Sequence, residues 1–267
     1  MKMNMITTGT IGALTGLVGS VGLIATTNLD SANAPGSGKS GDAEKICLLS
    51  EAPFFQDLKA GCYSNKEIAD LYDRDLVNER GASVTVQMTS PPEAPQAFDD
   101  CRTCSDYNRM RRLGWFALTG RDQRREEFFG RACAMLDFLN KAADSQETYF
   151  AQTGLVSQDI EKIPTKSLIQ FSAWPNAESG DFSPEEQINR TNSQAPDENG
   201  NWVVKLDEQW LIIQPLAHAD FDGDGIGDML VFMRTQLNDA SAIASSVGYL
   251  SKFSDDGALS FNILERN

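Results

Sequence analysis

The sequence predicts an α+β fold, in which a helical N-terminal part with a helical hairpin precedes a small antiparallel C-terminal β-sheet that carries one acidic loop. Three observations support this class. Apolar residues recur at helical spacing between residues 65 and 144, short β-branched and aromatic runs fill residues 201–267, and a run of alternating aspartates occupies residues 220–228. The helical and strand patterns therefore occupy different parts of the chain.

The composition is that of a globular chain. Its 267 residues are 41% hydrophobic and 9% aromatic, which is enough to bury a core in one or two domains. The formal net charge of -15 argues against a nucleic-acid partner and against adhesion to an anionic lipid surface, because like charges repel.

Residues 1–34 predict a signal peptide or an N-terminal anchor. Residues 6–27 are apolar and uncharged, and Ala32-Asn33-Ala34 has the small-x-small pattern of a cleavage site. If this segment is retained, it is just long enough to span a bilayer, and it is the one membrane link that we expect. Whether the segment is cleaved or retained, we expect a secreted or periplasmic protein. A flexible linker at residues 35–45 connects the segment to the rest of the chain.

Residues 46–144 are predicted to form a helical, disulfide-containing region. Helices are expected over residues 65–77 and 98–118, and a third begins at the capping residue Thr119. The short break at Thr119 makes the last two a helical hairpin. The apolar stripe of the third helix consists of Phe129, Ala132, Cys133, Leu136, Leu139 and Ala143.

All five cysteines fall in this region, which predicts two disulfides and one free thiol in an exported chain. Cys47 and Cys62 are the natural first pair, and Cys133 is expected to bond either Cys101 or Cys104. The Cys101-x-x-Cys104 spacing also permits thiol-disulfide exchange. That interpretation requires a buried strand directly before the motif, whereas a proline-rich loop precedes it, so structural disulfides are favoured.

Eight arginines lie between residues 102 and 131, interleaved with acidic residues. This pattern predicts solvated helix faces with local ion pairs in preference to an anion site.

Residues 145–200 are polar and rich in prolines and acids, and we expect an irregular acidic connector there. Residues 201–267 form the β region, with strands predicted over residues 202–206, 210–217, 229–235, 246–253 and 259–264.

The acidic loop, residues 220–228, predicts a Ca²⁺ site. Its aspartates fall at positions 1, 3, 5 and 9 of an EF-hand-like pattern, with a glycine at position 6. Hard cations prefer such oxygen ligands, and glycine lets the backbone turn around the ion. The predicted metal ligands are the side chains of Asp220, Asp222, Asp224 and Asp228 and the carbonyl of Ile226.

Two departures separate the loop from a calcium sensor. Position 12 is Val231 where an EF-hand has a bidentate glutamate, and both flanks have strand patterns where a sensor has helices. In these respects the segment resembles, over about 15 residues, the calcium loops of FG-GAP and integrin-type β-propeller repeats. The resemblance implies the same five ligands and a structural role, but a single copy does not predict a propeller.

The sequence does not identify a reaction. Its one histidine, His218, and the lack of serine-hydrolase, zinc-protease and phosphate-loop motifs leave the catalytic residues unknown and enzymatic activity uncertain. We expect an exported calcium-binding protein that acts as a binding or envelope-associated module, with an unidentified protein or glycan ligand. The alternative is a secreted hydrolase with a structural calcium and unidentified catalytic carboxylates.

Overall fold

A computed structural model describes residues 45–78, 80–163, 195–205, 209–238 and 243–263. The predicted signal peptide or anchor, the linker up to residue 44, and residues 164–194 of the connector lie outside the described residues. Within the described ranges, no helix has both the length and the apolar character needed to cross a membrane.

The described residues build an eight-stranded sheet with the order β10-β9-β8-β7-β1-β2, in which β6 also pairs with β7 and β5 with β8. Every pairing is antiparallel except that of β5 with β8. The strands are β1 Lys45–Leu48, β2 Gly61–Ser64, β5 Glu147–Thr148, β6 Trp202–Lys205, β7 Gln209–Ala219, β8 Ile226–Leu237, β9 Ile243–Lys252 and β10 Leu259–Ile263. A separate hairpin pairs β3 Val86–Thr89 with β4 Phe98–Cys101.

The prediction of a small C-terminal sheet is therefore wrong in its extent, although the five C-terminal strands are present. Strand β6 covers one edge of β7 only up to Ile213, and the register of β7 shifts between Pro215 and Ala217. Proline has no N–H to donate to a sheet. Beyond this shift β1 pairs with the same edge of β7, because Leu48 pairs with Ala217 and the Leu49 N–H donates to the Leu216 carbonyl at 2.8 Å.

The helices are α1 Asn65–Asp70, α2 Cys104–Arg112, α3 Gly120–Lys141 and α4 Ser157–Lys162. Helix α1 is shorter than predicted and passes into a 3₁₀ turn at Leu71–Asp73. The predicted start of α3 is confirmed, because the Thr119 hydroxyl accepts a hydrogen bond from the Asp122 N–H at 3.1 Å. Its stripe is buried as predicted, except for Ala143, which lies beyond the helix and is exposed.

The helix predicted over residues 98–118 is replaced by a strand and a shorter helix. Residues of β4 pair with β3 across the proline-rich turn, and α2 begins only after Thr103, whose hydroxyl accepts from the Asp106 N–H. The helix stops before Gly114, which has a φ of 78° that L side chains rarely adopt. Local capping and turn residues therefore determine where this helix begins and ends, although the apolar residues continue at helical spacing.

The sheet has a hydrophobic core on each face. Leu230 packs with the helical layer, whereas its neighbours Met229 and Val231 belong to the second cluster. Because alternate residues of a strand face opposite sides, the two clusters cover opposite faces. The first contains the apolar sides of α1, α2 and α3, and the second contains residues of the segment 150–163, namely Phe150, Leu155, Ile160 and Ile163.

Both predicted disulfides form within the described residues. Cys47 and Cys62 are directly opposite each other in β1 and β2, with a Cα–Cα distance of 3.9 Å. Cys133 of α3 bonds Cys104 of α2, which resolves the choice left open by the sequence, and Cys101 is a buried free thiol. Disulfides of this kind indicate an oxidising, extracytoplasmic environment.

A buried ion pair joins α4 to the sheet. The Lys252 ammonium lies 2.8 Å from a carboxylate oxygen of Asp159 and 5.7 Å from the centre of the Phe150 ring. Asp159 is 0% exposed, and its second oxygen accepts from the Val156 N–H that begins the helix. This pair fixes the segment 150–163 to its face of the sheet.

We expect Lys252→Met to lower the free energy of unfolding by about 3–5 kcal/mol, because it leaves the buried Asp159 carboxylate without its counter-charge. Urea unfolding measures this loss. The double variant Lys252→Met/Asp159→Asn should recover part of it. The exposed pair of Lys162 with Asp256, at 4.0 Å, provides the control, and Lys162→Met should cost at most about 0.5 kcal/mol. Equal losses in the two single variants would contradict the assignment.

Candidate metal centre

The acidic loop forms the turn between β7 and β8. Gly223 and Gly225 have φ values of 85° and 86°, so the backbone passes twice through the left-handed region that glycine tolerates. These two positions let the chain reverse direction while Asp220, Asp222 and Asp224 stay close together. The sequence prediction of strands on both sides of the loop is confirmed.

Three aspartates of the loop converge. One carboxylate oxygen from each of Asp220, Asp222 and Asp224 lies within 4.8 Å of the others. Asp220 is buried, whereas Asp222 and Asp224 are exposed. Carboxylates so close together repel one another when ionised, and a hard cation between them removes that repulsion.

Hydrogen bonds from the turn itself hold these carboxylates. Asp220 accepts from the N–H groups of Gly223 at 2.7 Å and Gly225 at 2.9 Å. Asp222 accepts from the Asp224 N–H at 3.2 Å, and Asp224 accepts from the Ile226 N–H at 2.7 Å. Asp220 therefore shapes the turn through two such bonds, whereas the exposed Asp222 and Asp224 accept one each.

The other two predicted ligands lie at the beginning of β8 and are not part of the converging group. Asp228 is 1% exposed, and one of its carboxylate oxygens accepts from the Phe221 N–H at 3.1 Å. Ile226 is half-buried at the first position of the strand. Ligation by Asp228 and by the Ile226 carbonyl stays a prediction.

A segment that the sequence did not connect with the loop lies directly against it. This crossover segment, residues 142–148, leaves α3 and runs past the turn. Ala143 and Asp220 exchange two backbone hydrogen bonds of 2.9 and 3.0 Å, and the Gln146 N–H donates to the Gly225 carbonyl at 2.8 Å. Strand β5 at its end pairs in parallel with the start of β8.

The crossover segment falls at the start of what the sequence presents as an irregular connector. Its strand could have been suspected from Thr148, Tyr149 and Phe150, three consecutive residues with high β-propensity. The partner of that strand, however, lies about eighty residues away and has no local signal.

His218 links the crossover segment to β7. Its Nε2 lies 2.7 Å from the Thr148 hydroxyl, and burial lowers the pKa of the imidazole. Gly227 makes this approach possible, because a Cβ at that position would lie 2.8 Å from the imidazole ring. The histidine thus supports the β-structure beside the loop.

Burial and charge crowding change the acidity of the groups around the loop. Partial desolvation of the exposed Asp222 carboxylate, together with the charges of Asp224 and Asp220, raises its pKa. Burial raises the pKa of Asp228 to about 6, although hydrogen bonds from Ser251 and the Phe221 N–H favour its ionised form. Tyr249, which lies on the Phe221 ring, has its pKa raised to about 12 by burial and by the aspartates of the loop. The folded protein therefore resists additional negative charge here.

The cysteine motif is structural and not an exchange site. Cys104 bonds Cys133 instead of Cys101, and burial raises the pKa of the Cys101 thiol to about 12. A reactive cysteine requires a lowered pKa and exposure, and Cys101 has neither.

Comparison of the chain with protein-family models, with curated protein sequences and with solved structures gives no match. The geometry described above is therefore the basis for any functional proposal.

We expect the Cys101 thiol to resist iodoacetamide in the folded, non-reduced protein and to react once the protein is unfolded. The reacting species is the thiolate, which a raised pKa suppresses at neutral pH. Mass spectrometry of alkylated digests gives the number of labelled thiols and the disulfide pairs, with Cys101→Ser as the control. Rapid labelling of the native protein, or a disulfide that contains Cys101, would show the assignment to be wrong.

The raised pKa of Asp228 predicts how the stability of the metal-free protein depends on pH. Asp228 has a folded-state pKa of about 6 against an ordinary value of 3.8. Between these values the folded protein retains a proton that the unfolded chain releases, so stability falls as the pH rises. The free energy of unfolding of the wild type should therefore fall relative to that of Asp228→Asn, whose side chain does not titrate.

Urea unfolding in the presence of a chelator, over pH 3.8 to about 6, measures this difference. The two proteins should diverge as the pH rises. A constant difference across the range would mean that Asp228 ionises as easily in the folded protein as in the unfolded chain.

Proposed function

We propose that this chain is an exported calcium-binding protein in which one Ca²⁺ at the acidic loop stabilises the fold, so that the protein serves as a binding or envelope-associated module. The observation that supports the proposal most is the convergence of Asp220, Asp222 and Asp224 at a turn held by the crossover segment. The resemblance of the loop to FG-GAP and integrin-type calcium loops points to the same ion.

The donor set favours calcium over other common metals. The converging groups are carboxylates, which suits a hard cation, and the soft ligands that zinc prefers are not among them. Ca²⁺ accepts six to eight oxygens in flexible geometry, whereas Mg²⁺ requires a tighter octahedron and keeps most of its waters. Asp228 and the Ile226 carbonyl are the further ligands that we propose.

A structural role fits the surroundings of the loop better than a sensing role. Both ends of the loop continue into strands of the same hairpin, which pair with each other from Ala219 and Asp228 onwards. A sensor needs two elements that can move apart when the ion binds. Here we expect the ion to hold together the turn and the crossover segment.

The proposed setting is the outside of a cell membrane, either the periplasm or the secreted state. The two disulfides agree with this location, and extracellular fluids supply calcium at concentrations that weak sites can use. The ligand of the module is proposed to be a protein or a glycan.

Thermal unfolding with excess Ca²⁺ and with chelator tests the proposal. Asp222→Asn is the best variant, because Asp222 is exposed and accepts one hydrogen bond in the turn, whereas Asp220 accepts two. Asp144→Asn is the matched control, since it removes an exposed charge from the crossover segment without touching the converging group.

We expect Ca²⁺ at about 100 times its dissociation constant to stabilise the wild type by about 2.7 kcal/mol, which raises the midpoint by about 5–10 °C. Asp144→Asn should retain this shift, and Asp222→Asn should lose most of it. Equal midpoints with calcium and with chelator in the wild type would refute the calcium site. A shift produced equally by Mg²⁺ would show that the ion is misassigned.

A further inference from the structure

A cleft of about 550 Å³ lies between the loop 49–60, residues 77–78, the turn before β6 and the side of β7. We call it the amide cleft, because five amide side chains line it, namely Gln56, Asn78, Asn199, Asn201 and Gln214. Its volume is within the range of small-molecule binding sites. No residue of the acidic loop lines it, so the two sites are separate.

One wall of the amide cleft is the tight turn before β6, which Asp197 holds. One oxygen of its carboxylate accepts from the N–H groups of Asn199 at 2.9 Å and Asn201 at 2.8 Å, as in an Asx turn. The other oxygen accepts from the Asn201 side-chain amide at 3.2 Å. The Asn199 side chain is exposed and forms no hydrogen bond with any described residue, so it is available to a ligand.

A second wall carries Asn78 and Gln56. The Asn78 Oδ1 accepts from the N–H groups of Arg80 at 2.9 Å and Ala82 at 3.1 Å, which leaves its NH₂ group as a donor. Gly81 lets the Gln56 amide lie against the same turn, because a Cβ there would be 2.8 Å from the Gln56 Nε2. Two amides are therefore placed beside one turn.

The side of β7 contributes an acceptor through Gln214. Its Nε2 donates to the Ser50 hydroxyl at 3.2 Å and to the Glu51 carbonyl at 2.8 Å. These two bonds fix the amide and use both of its hydrogens, so the Oε1 atom is the group left for a ligand. The cleft thus presents donors and acceptors whose positions are already set by hydrogen bonds within the protein.

The amide cleft also has an apolar floor. Phe54 and Phe55 line it and are each 5% exposed. The ring of Phe54 packs edge-on against Phe128 and Phe232, with centroid distances of 5.4 Å, which fixes it in the core. The other apolar lining residues are Leu49, Ala52, Pro53, Ala60 and Val77. A ligand therefore meets buried carbon and more exposed hydrogen-bonding groups in the same cleft.

The charges of the amide cleft oppose an anionic ligand. Glu51 and Glu198 line it, and none of the described lining residues is basic. Glu51 is already paired with Lys59, so its charge is largely compensated. Glu198 is exposed, and an exposed carboxylate holds a cation only weakly because water screens the pair. It remains a good acceptor for a hydroxyl group.

We propose that the amide cleft binds a neutral glycan, with sugar hydroxyls on the amide side chains and the C–H surface of a sugar ring on the phenylalanine floor. Amides and hydroxyls both donate and accept hydrogen bonds, so the two sets of groups match. The proposal rests on the ligand part of the proposed function and narrows that ligand to a glycan. It does not depend on the calcium site.

A glycan microarray probed with the full chain in the presence of Ca²⁺ tests the proposal. The array carries neutral glycans, glycans with uronate or sulfate groups, and a trilysine peptide as a cationic comparison. We expect binding to neutral glycans, with weaker signals from the acidic glycans and from trilysine. Isothermal titration with the best neutral glycan should give an affinity that changes by less than about twofold between roughly 50 and 500 mM NaCl, because a neutral ligand has no charge to screen.

The double variant Gln56→Ala/Asn199→Ala removes two amides from the cleft. It should lower the affinity for that glycan by about tenfold or more, because two hydrogen bonds are lost. The matched control is Asn140→Ala/Gln152→Ala, which removes the same two residue types from exposed positions outside the cleft and should leave the affinity unchanged. Both double variants should melt at the wild-type midpoint, since the Gln56 and Asn199 side chains form no hydrogen bond with a described residue.

The outcomes separate this proposal from the calcium site. Stabilisation by Ca²⁺ without binding to any neutral glycan would overturn the glycan proposal alone. Glycan binding without stabilisation by Ca²⁺ would support it and count against the calcium site. Equal binding by the two double variants would also overturn it, as would acidic glycans or trilysine binding as strongly as the best neutral glycan; strong trilysine binding would identify a basic peptide as the ligand.

Discussion

The fold depends on how the chain passes from one face of the sheet to the other. Helix α3 lies on the first face and the segment 150–163 on the second, and residues 142–148 connect them by crossing the β7–β8 turn. Backbone hydrogen bonds of Ala143 with Asp220 and of Gln146 with Gly225 fix that crossing. If the turn loses its shape, the segment 150–163 loses one of its attachments and keeps the Asp159–Lys252 pair. The conformation of one loop of nine residues therefore affects how the chain is held between the two faces.

That loop is also the place where negative charge is most concentrated. Asp220 is buried and shapes the turn through two N–H groups, while Asp222 and Asp224 face it across a few ångströms. Asp228, just beyond, is buried with a pKa raised to about 6. Such an arrangement opposes folding when these groups are ionised, because like charges close together repel one another. The residues that shape the turn therefore also concentrate charge at it, and this is the basis of the calcium site proposed above.

The sequence predicted what is local and missed what is distant. The cap at Thr119, the buried stripe of α3, the Cys47–Cys62 pair and the five C-terminal strands follow from short-range patterns, whereas the sequence leaves the partner of Cys133 open between Cys101 and Cys104. The pairing of β1 with β7 does not follow from such patterns, because the two strands are far apart in the sequence. Just after β1, for example, the Ser50 hydroxyl donates a hydrogen bond to the Pro215 carbonyl, 165 residues away. Strand period specifies which face is buried but not which strand is the neighbour. For the site, three of five predicted ligands converge in the described structure, but the crossover segment that supports them has no local signal.

The N-terminal part of the chain and the segment 150–163 are held in place by different chemistry. The N-terminal part is held by Cys47–Cys62 and Cys104–Cys133, covalent links that are insensitive to salt and to mild changes of pH. The face covered by the segment 150–163 contains no cysteine among its described residues and is held by the Asp159–Lys252 pair and by the crossover at the acidic loop. Charged contacts respond to protonation and to ions, whereas disulfides respond to redox conditions. Protonation, and the calcium ion if it binds as proposed, should therefore act first on the second face, while the disulfide between α2 and α3 persists.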